Sequence, residues 1–384
     1  MSFGSQSRSP SERQFARTRA LEHLLLGGVP LALTLWLAIA SVSHHWVAQD
    51  FSLAYYPAAH RLLDGGDPYA VTHAQIVSGA AFVYPALSAV VLAPLALVSS
   101  GAADHLYTLL CIVLVPGTLW VSGVRDWRVY GVTLLWYPII IGWQGENISV
   151  PLMFLTALAW RHRDRPLVAG VIVAAAISMK PLLWPLGLWL LATRRWRAAA
   201  YSLASGLVLN LLAWGVVGFN QVSTYTHLAG EDTRALWRGG YSLLALAHHL
   251  GLGRGAGYVL LALAAAALVV AILRQGLVRQ RERQAFVLAV ALMLVASPLV
   301  WIHYFVLLLV PLAIARPRFG ALWVVPVAMW FLPPATSVAG WQFALAWVLV
   351  GACVLGAFRD GSVGRWPAGH RPQAERPSNL ATTG

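Results

Sequence analysis

Thirteen apolar segments fill most of this chain, and that repetition leaves few folds open. They run 24–42, 82–99, 103–122, 129–143, 147–160, 166–179, 182–193, 198–218, 255–273, 284–297, 300–315, 319–333 and 341–357. A helix needs about 20 apolar residues to cross a bilayer, and several segments approach that length. A β-barrel would instead show short alternating strands. Only 11% of the 384 residues are charged and 59% are hydrophobic, whereas a soluble domain carries about 25% charged residues. The expected fold is an all-α polytopic membrane protein.

Arginine sets its orientation. The chain has 26 Arg and one Lys against 14 acids, a net charge of +13. The arginines cluster between apolar runs, the pattern of cytoplasmic loops rather than of a nucleic-acid surface. Arg161, Arg163 and Arg165 mark one loop, Arg194, Arg195 and Arg197 a second. Arg274, Arg279, Arg281 and Arg283 mark a third, and Arg316 and Arg318 a fourth. Both termini are assigned to this cytoplasmic side, which requires an even number of crossings. About twelve spans are expected, with one segment between 82 and 160 re-entrant or packed without crossing. The run at 24–42 follows Arg13, Arg17 and Arg19 and is expected to be a retained signal anchor. One transmembrane domain, 23–357, is expected between irregular cytoplasmic ends at 1–22 and 358–384. Its other side receives two long loops, 43–81 and 219–254, each expected to carry a short interfacial helix.

Several chemistries lack their signatures. Cys111 and Cys353 lie in apolar runs, which argues against a disulfide framework or a cysteine metal site. No phosphate-binding G-x-x-x-x-G-K-[ST] and no dinucleotide fingerprint occurs. No H-x-x-x-H spacing suggests zinc. No cofactor is expected, although the sequence leaves room for a divalent cation. An enzyme of this kind would receive its activated substrate through the lipid.

The candidate chemistry gathers on the side away from the arginines. Asp50 stands at the exit of the first apolar segment, where a carboxylate can take a proton from a hydroxyl. It is also well placed to cap a helix starting at Phe51, and both roles can hold. That helix has an apolar side of Phe51, Leu53, Ala54, Tyr55, Ala58, Leu62 and Leu63, with His60, Arg61 and Asp64 facing water. Gly-Gly-Asp-Pro-Tyr at 65–69 ends it, with Asp67 in the turn. Lys180 is the single lysine and breaks the charge pattern, so it suits a phosphate as a point charge or simply snorkels. Ser-Pro-Leu-Val-Trp-Ile-His-Tyr (297–304) places His303 beside Tyr304, to meet a phosphate or to sit in an aromatic belt. Gln144, Glu146 and Asn147 make a polar turn that suits sugar hydroxyls or merely joins two helices. Arg234 and Arg238, four apart, would share a helix face, to bind an anionic group or to pair with Glu231 and Asp232. Ser242–Leu250 is expected to form a short surface helix.

In their order these pieces resemble glycosyltransferase family 87, within the GT-C superfamily. The resemblance rests on Asp50, on Y-x-x-A-x-x-L-L-x-G-x-D-P-Y from Tyr56 to Tyr69, and on the Q-x-x-N turn at Gln144. It continues with Lys180-Pro181, the following Arg-Arg-Trp-Arg loop, and the S-P-x-x-W-x-H-Y corner. It covers roughly residues 20–355. Where the family often has Asn-Gln-Ser-Leu, this chain has Gly240-Tyr241-Ser242-Leu243. The resemblance implies transfer of mannose or a related hexose, with inversion, from a polyprenyl-phosphate donor to a lipid or polysaccharide acceptor. The reaction would occur outside the cytoplasmic membrane. It implies Asp50 as general base, with Lys180 and His303 on the phosphate side. Arg234 and Arg238 are further candidates for the donor phosphate; Gln144, Glu146, Asn147, Tyr56 and Tyr304 are candidates for sugar and acceptor. A transporter or flippase of lipid-linked sugars is the alternative, but it would place polar groups near mid-membrane, often in inverted repeats. A structural partner in envelope assembly would need no carboxylate.

Overall fold

A computed structural model describes residues 10–43, 50–333 and 337–359. Among these the regular structure is entirely helical, and every apolar segment read from the sequence contains a helix. The first helices are α1 (Pro10–His23) and α2 (Val29–Ser43), joined by a π turn at Leu24–Gly28. The first described residues, from Pro10, are therefore helical, inside the stretch 1–22 expected to be irregular. A π turn at Phe51–Tyr55 leads into α3 (Tyr56–Leu63), and α4 (His73–Ser78) follows. Next come α5 (Ala86–Leu92), α6 (Ser100–Val121), α7 (Trp127–Thr133), α8 (Tyr137–Gln144) and α9 (Ser149–Arg161). The middle of the chain holds α10 (Pro166–Met179), α11 (Pro185–Ala192), α12 (Trp196–Val217), α13 (Gln221–Leu236) and α14 (Leu243–His249). The last are α15 (Arg254–Gly276), α16 (Glu282–Val295), α17 (Leu309–Ala315) and α18 (Gly340–Phe358).

Among the described residues five helices are long and apolar enough to cross a bilayer: Arg17–Ser41, α6, α12, α15 and α18. The protein is thus a multi-pass membrane protein. The remaining apolar helices are shorter, and their outward surfaces differ from those of the long ones. On α12, Leu203 is 79% exposed and Leu212 65%, as expected of side chains that meet lipid instead of a core. By contrast, every residue of α16 from Gln284 to Leu294 is buried except the half-buried Leu288. A helix apolar all round belongs inside a bundle.

α10 packs against α12 along most of its length, and glycine lets the two approach. A Cβ on Gly170 would lie 2.6 Å from Tyr201 Cβ and 2.8 Å from the Ala198 carbonyl oxygen. Gly170→Leu is therefore expected to lower the thermal unfolding midpoint of the purified protein, by overpacking worth about 1–3 kcal/mol or more. An unchanged midpoint in detergent would contradict this packing.

The described parts of the two long loops, 50–81 and 219–254, pack against the bundle. Phe51, Ala54, Tyr55, Ala58 and Ala59 are buried in protein contacts, while Leu53 and Leu63 are about half exposed. His60 and Asp64 face water, with the His60 Nδ1 2.9 Å from Asp64 Oδ2. Gly65, at φ 72°, takes the left-handed conformation that ends the helix. The expected surface helix after Ser242 is α14, capped by the Ser242 hydroxyl, which accepts from the Ala245 N–H at 3.2 Å. It is less superficial than expected, since Leu244, Ala245 and Ala247 are fully buried.

Candidate functional site

Three breaks in helical structure converge at the end of the bundle opposite the arginine loops. The first is the extended residue Lys180 between α10 and the 3-10 turn Pro181–Leu183. The second is the Gly145–Asn147 turn between α8 and α9. The third is the irregular stretch 296–301 after α16. Between the first and third, with α13, lies a cavity of about 310 Å3 whose polar lining is Tyr84, Lys180, Asp232, Thr233, Ser297 and Tyr304.

Lys180 is 7% exposed. Pro181 lacks an N–H and cannot extend α10, so the chain straightens and turns the ammonium group inward. Its Nζ lies 3.8 Å from the centre of the Tyr304 ring and 5.3 Å from that of Tyr84. Aromatic faces attract a cation without using its N–H donors. Among the described residues the Lys180 Nζ has no hydrogen-bond partner, so its donors are unspent beside the cavity it lines.

Asp50 does not cap the helix that follows. It has helical backbone angles (φ −74°, ψ −39°) and its side chain makes no capping bond. Its Oδ2 instead accepts from Asn147 Nδ2 at 2.6 Å. The Asp50 N–H donates to the Gly145 carbonyl at 3.1 Å, which fastens the outer loop to the polar turn. Asn147 is fixed in turn, because its Oδ1 accepts from the Ser149 N–H at 2.8 Å. Asn147 Nδ2 also lies 3.4 Å from the Tyr55 hydroxyl, which donates to the Tyr84 hydroxyl at 2.8 Å. This chain of polar groups connects Asp50 to the cavity wall at Tyr84.

Burial pushes the Asp50 carboxyl above the usual range, while the Asn147 hydrogen bond and the Lys180 charge pull it down. Asn147→Ala removes one of these restraints. If Asp50 is the base, the acid limb of the rate profile moves to higher pH, because the carboxylate must then be ionised from a raised starting point. An unmoved limb in a transfer assay across pH would separate Asn147 from that carboxylate.

In the sequence Asp232 suggests only a partner for the nearby arginines. It is 9% exposed and lines the cavity. Burial pushes its carboxyl up, against the lowering effect of the Lys180 charge. Its spacing held the signal, since Leu228, Asp232 and Leu236 form the buried stripe of α13. The expected pairing of Arg234 with Arg238 on one helix face fails. α13 ends at Leu236, and Arg238 lies over Trp237 in the turn beyond. Arg234 donates to its own Gly230 carbonyl at 3.1 Å. Both arginines are exposed and neither lines the cavity.

Other candidates also separate. Tyr56 donates to the Val98 carbonyl at 2.9 Å and lies outside the cavity; its neighbour Tyr55 takes the inward place. Glu146 has a positive φ of 51°, which turns its side chain away from Asp50 into a fully buried position where it accepts from the Thr108 hydroxyl. Gln144 donates to Ser41 at 2.8 Å and ties the polar turn to α2. His303 packs edge-on against Tyr304, 4.9 Å between ring centres, but does not line the cavity.

The remaining motif residues frame the site. Tyr69, at the end of the D-P-Y turn, is buried and donates to the Tyr84 carbonyl at 2.9 Å. Asp67 Oδ1 accepts from the Tyr69 N–H at 2.8 Å, and Arg61 donates to the Asp67 and Pro68 carbonyls, both at 3.1 Å. The Gly240–Leu243 stretch docks on the 297–304 corner, where the Tyr241 N–H donates to the Val300 carbonyl at 2.7 Å. Gly240 has φ 69°, and a Cβ there would meet the Val300 oxygen at 2.5 Å, so glycine is required.

The model of glycosyltransferase family 87 matches residues 82–298. A mannosyltransferase of Mycolicibacterium smegmatis is 27% identical over 330 residues, covering 79% of this chain and 73% of its own. Its full description is polyprenol-phosphate-mannose-dependent alpha-(1-2)-phosphatidylinositol pentamannoside mannosyltransferase. A protein of the same description from Mycobacterium tuberculosis is 28% identical over 330 residues, covering 79% of this chain and 69% of its own. No solved structure matches the chain.

Proposed function

Because this chain belongs to glycosyltransferase family 87, we propose that it transfers mannose from a polyprenyl-phosphate donor to a lipid-linked acceptor. It is a glycosyltransferase, and its relatives from two mycobacteria are mannosyltransferases that depend on polyprenol-phosphate mannose. Their acceptor is a phosphatidylinositol mannoside, and this chain takes an acceptor of the same chemical class. The observation that carries the reading is Lys180, the single lysine, buried in a cavity with its donors unspent and connected to Asp50 through Tyr84, Tyr55 and Asn147.

In the proposed mechanism Asp50 takes the proton of an acceptor hydroxyl as that oxygen attacks the anomeric carbon. The bond from that carbon to the phosphate oxygen breaks, and the configuration inverts. Lys180, with His303 behind Tyr304, stabilises the charge growing on the leaving phosphate. The chain crosses the cytoplasmic membrane about twelve times, with the shorter apolar helices completing the bundle. Both termini and the arginine loops lie inside, and the cavity lies on the outer face.

Purified protein in liposomes, given radiolabelled polyprenyl-phosphate mannose and a phosphatidylinositol mannoside, should form a labelled glycolipid. Release of donor to the opposite leaflet with no labelled product would support a transporter and overturn the reading.

A further inference from the structure

A second cavity, of about 660 Å3, lies at the opposite end of the bundle. It is formed where α9 ends, α16 begins and α17 passes into the 317–323 stretch. Five guanidinium groups line it, those of Arg161, Arg163, Arg283, Arg316 and Arg318. The one carboxylate in the lining, Asp164, is 74% exposed; it pairs at 3.0 Å with Arg195, outside the cavity, and only at 4.0 Å with Arg163 of the lining. Topology explains why arginines occupy this end of the protein, but not why those of three separate loops converge on one cavity.

The arginines are held in place to different degrees. Arg163 stacks on Trp160 with its Cζ 4.4 Å from the ring centre, and its Nε lies 3.7 Å from Glu282. Arg316 donates to the Gly356 carbonyl from Nε at 3.3 Å and from Nη2 at 3.1 Å, which anchors it to α18. Arg318 is exposed, and its side chain has no hydrogen bond or ion pair among the described residues. The rest of the wall is apolar and aromatic, with Ile314, Leu322 and Trp323. The volume far exceeds what a free phosphate needs, and the apolar wall would give such an ion nothing to contact.

We propose that this cavity binds the headgroup of an anionic phospholipid, its phosphate among the arginines and its glycerol and upper acyl carbons against Ile314 and Leu322. Basic pockets between transmembrane helices suit such headgroups, with about 1 kcal/mol per basic residue near the surface. The site is separate from the cavity at Lys180 and does not depend on the identity of the transferred sugar.

Native mass spectrometry of the full chain, with phosphatidylglycerol or phosphatidylcholine added to the detergent, tests it. Wild type should retain phosphatidylglycerol in preference to phosphatidylcholine. Arg318→Ala should weaken phosphatidylglycerol retention about fivefold, and Arg318→Glu should weaken it further, with phosphatidylcholine unaffected. Because the Arg318 side chain has no hydrogen bond or ion pair among the described residues, neither variant should disturb folding, and unchanged unfolding midpoints without added lipid check this. Equal retention of the two lipids, or unchanged retention in both variants, would overturn the proposal. Millimolar inorganic phosphate stabilising the protein as well as phosphatidylglycerol does would also overturn it, in favour of a free-anion site.

Discussion

Asp50→Asn is expected to reduce mannosyl transfer by about 10²–10⁴-fold, the usual contribution of a general base. The substitution keeps the shape of the side chain, and an amide oxygen can still accept the bond that Asn147 Nδ2 makes at 2.6 Å. The Asp50 N–H bond to Gly145 is untouched because it comes from the backbone. Folding and donor binding should therefore survive, and the loss should fall on kcat rather than on KM for the donor. The informative experiment is single-turnover transfer at saturating donor, wild type against variant, with thermal unfolding measured alongside. Equal rates would remove Asp50 from the chemistry and leave it as the fastener between outer loop and polar turn.

Lys180→Ala should be nearly as damaging, by about 10²–10³-fold in kcat, because stabilisation of a charge that grows during reaction is lost in the transition state. A second effect comes from its surroundings. The Lys180 charge lowers the pKa of both Asp50 and Asp232. Without it both carboxyls rise further, so a base that must be ionised works only at higher pH. The variant should thus show a lower maximal rate together with an acid limb displaced upward. Lys180→Arg should not restore the wild-type rate, since a planar fork does not replace a compact ammonium seated over a ring at 3.8 Å. Full activity in Lys180→Arg with none in Lys180→Ala would show that charge alone suffices.

The apolar segments were legible because hydropathy reports burial and lipid contact directly. The placement of single side chains was less so. Tyr56 stood out in the sequence motif, yet Tyr55, which the apolar pattern already places inward, is the tyrosine that meets Tyr84 and Asn147; Leu53, expected on the same side, is instead half exposed, because Phe51–Tyr55 is a π turn. A π turn changes the rotation per residue, so a face projected with α-helical spacing drifts. Glu146 and Asn147 were read as one polar surface, but the positive φ at Glu146 sends the two side chains different ways. Arg234 and Arg238 would share a face only if α13 continued, and it stops at Leu236. Lys180 was legible for the opposite reason: a lone cation at the end of an apolar run has few ways to be accommodated. The polar contacts that join Asp50 to Tyr84 link residues far apart in the chain, and no local pattern announces them.

The pairing of α10 with α12 carries a consequence for depth. The two helices run in the same direction from the arginine loops, and Asn210 Nδ2 meets the Ser178 hydroxyl at 2.7 Å. α10 stops one residue later, whereas α12 continues to Val217. At 1.5 Å per residue, that continuation places the tip of α12 about 10 Å above the level of Ser178. Lys180 therefore lies in a recess, with the tip of α12 standing above it like one wall of a well. In the proposed reaction the donor phosphate would stay at the floor of that well, sunk below the lipid headgroups. The acceptor would have to lower its terminal sugar from above, so reach, as well as fit, would decide which glycolipids are extended.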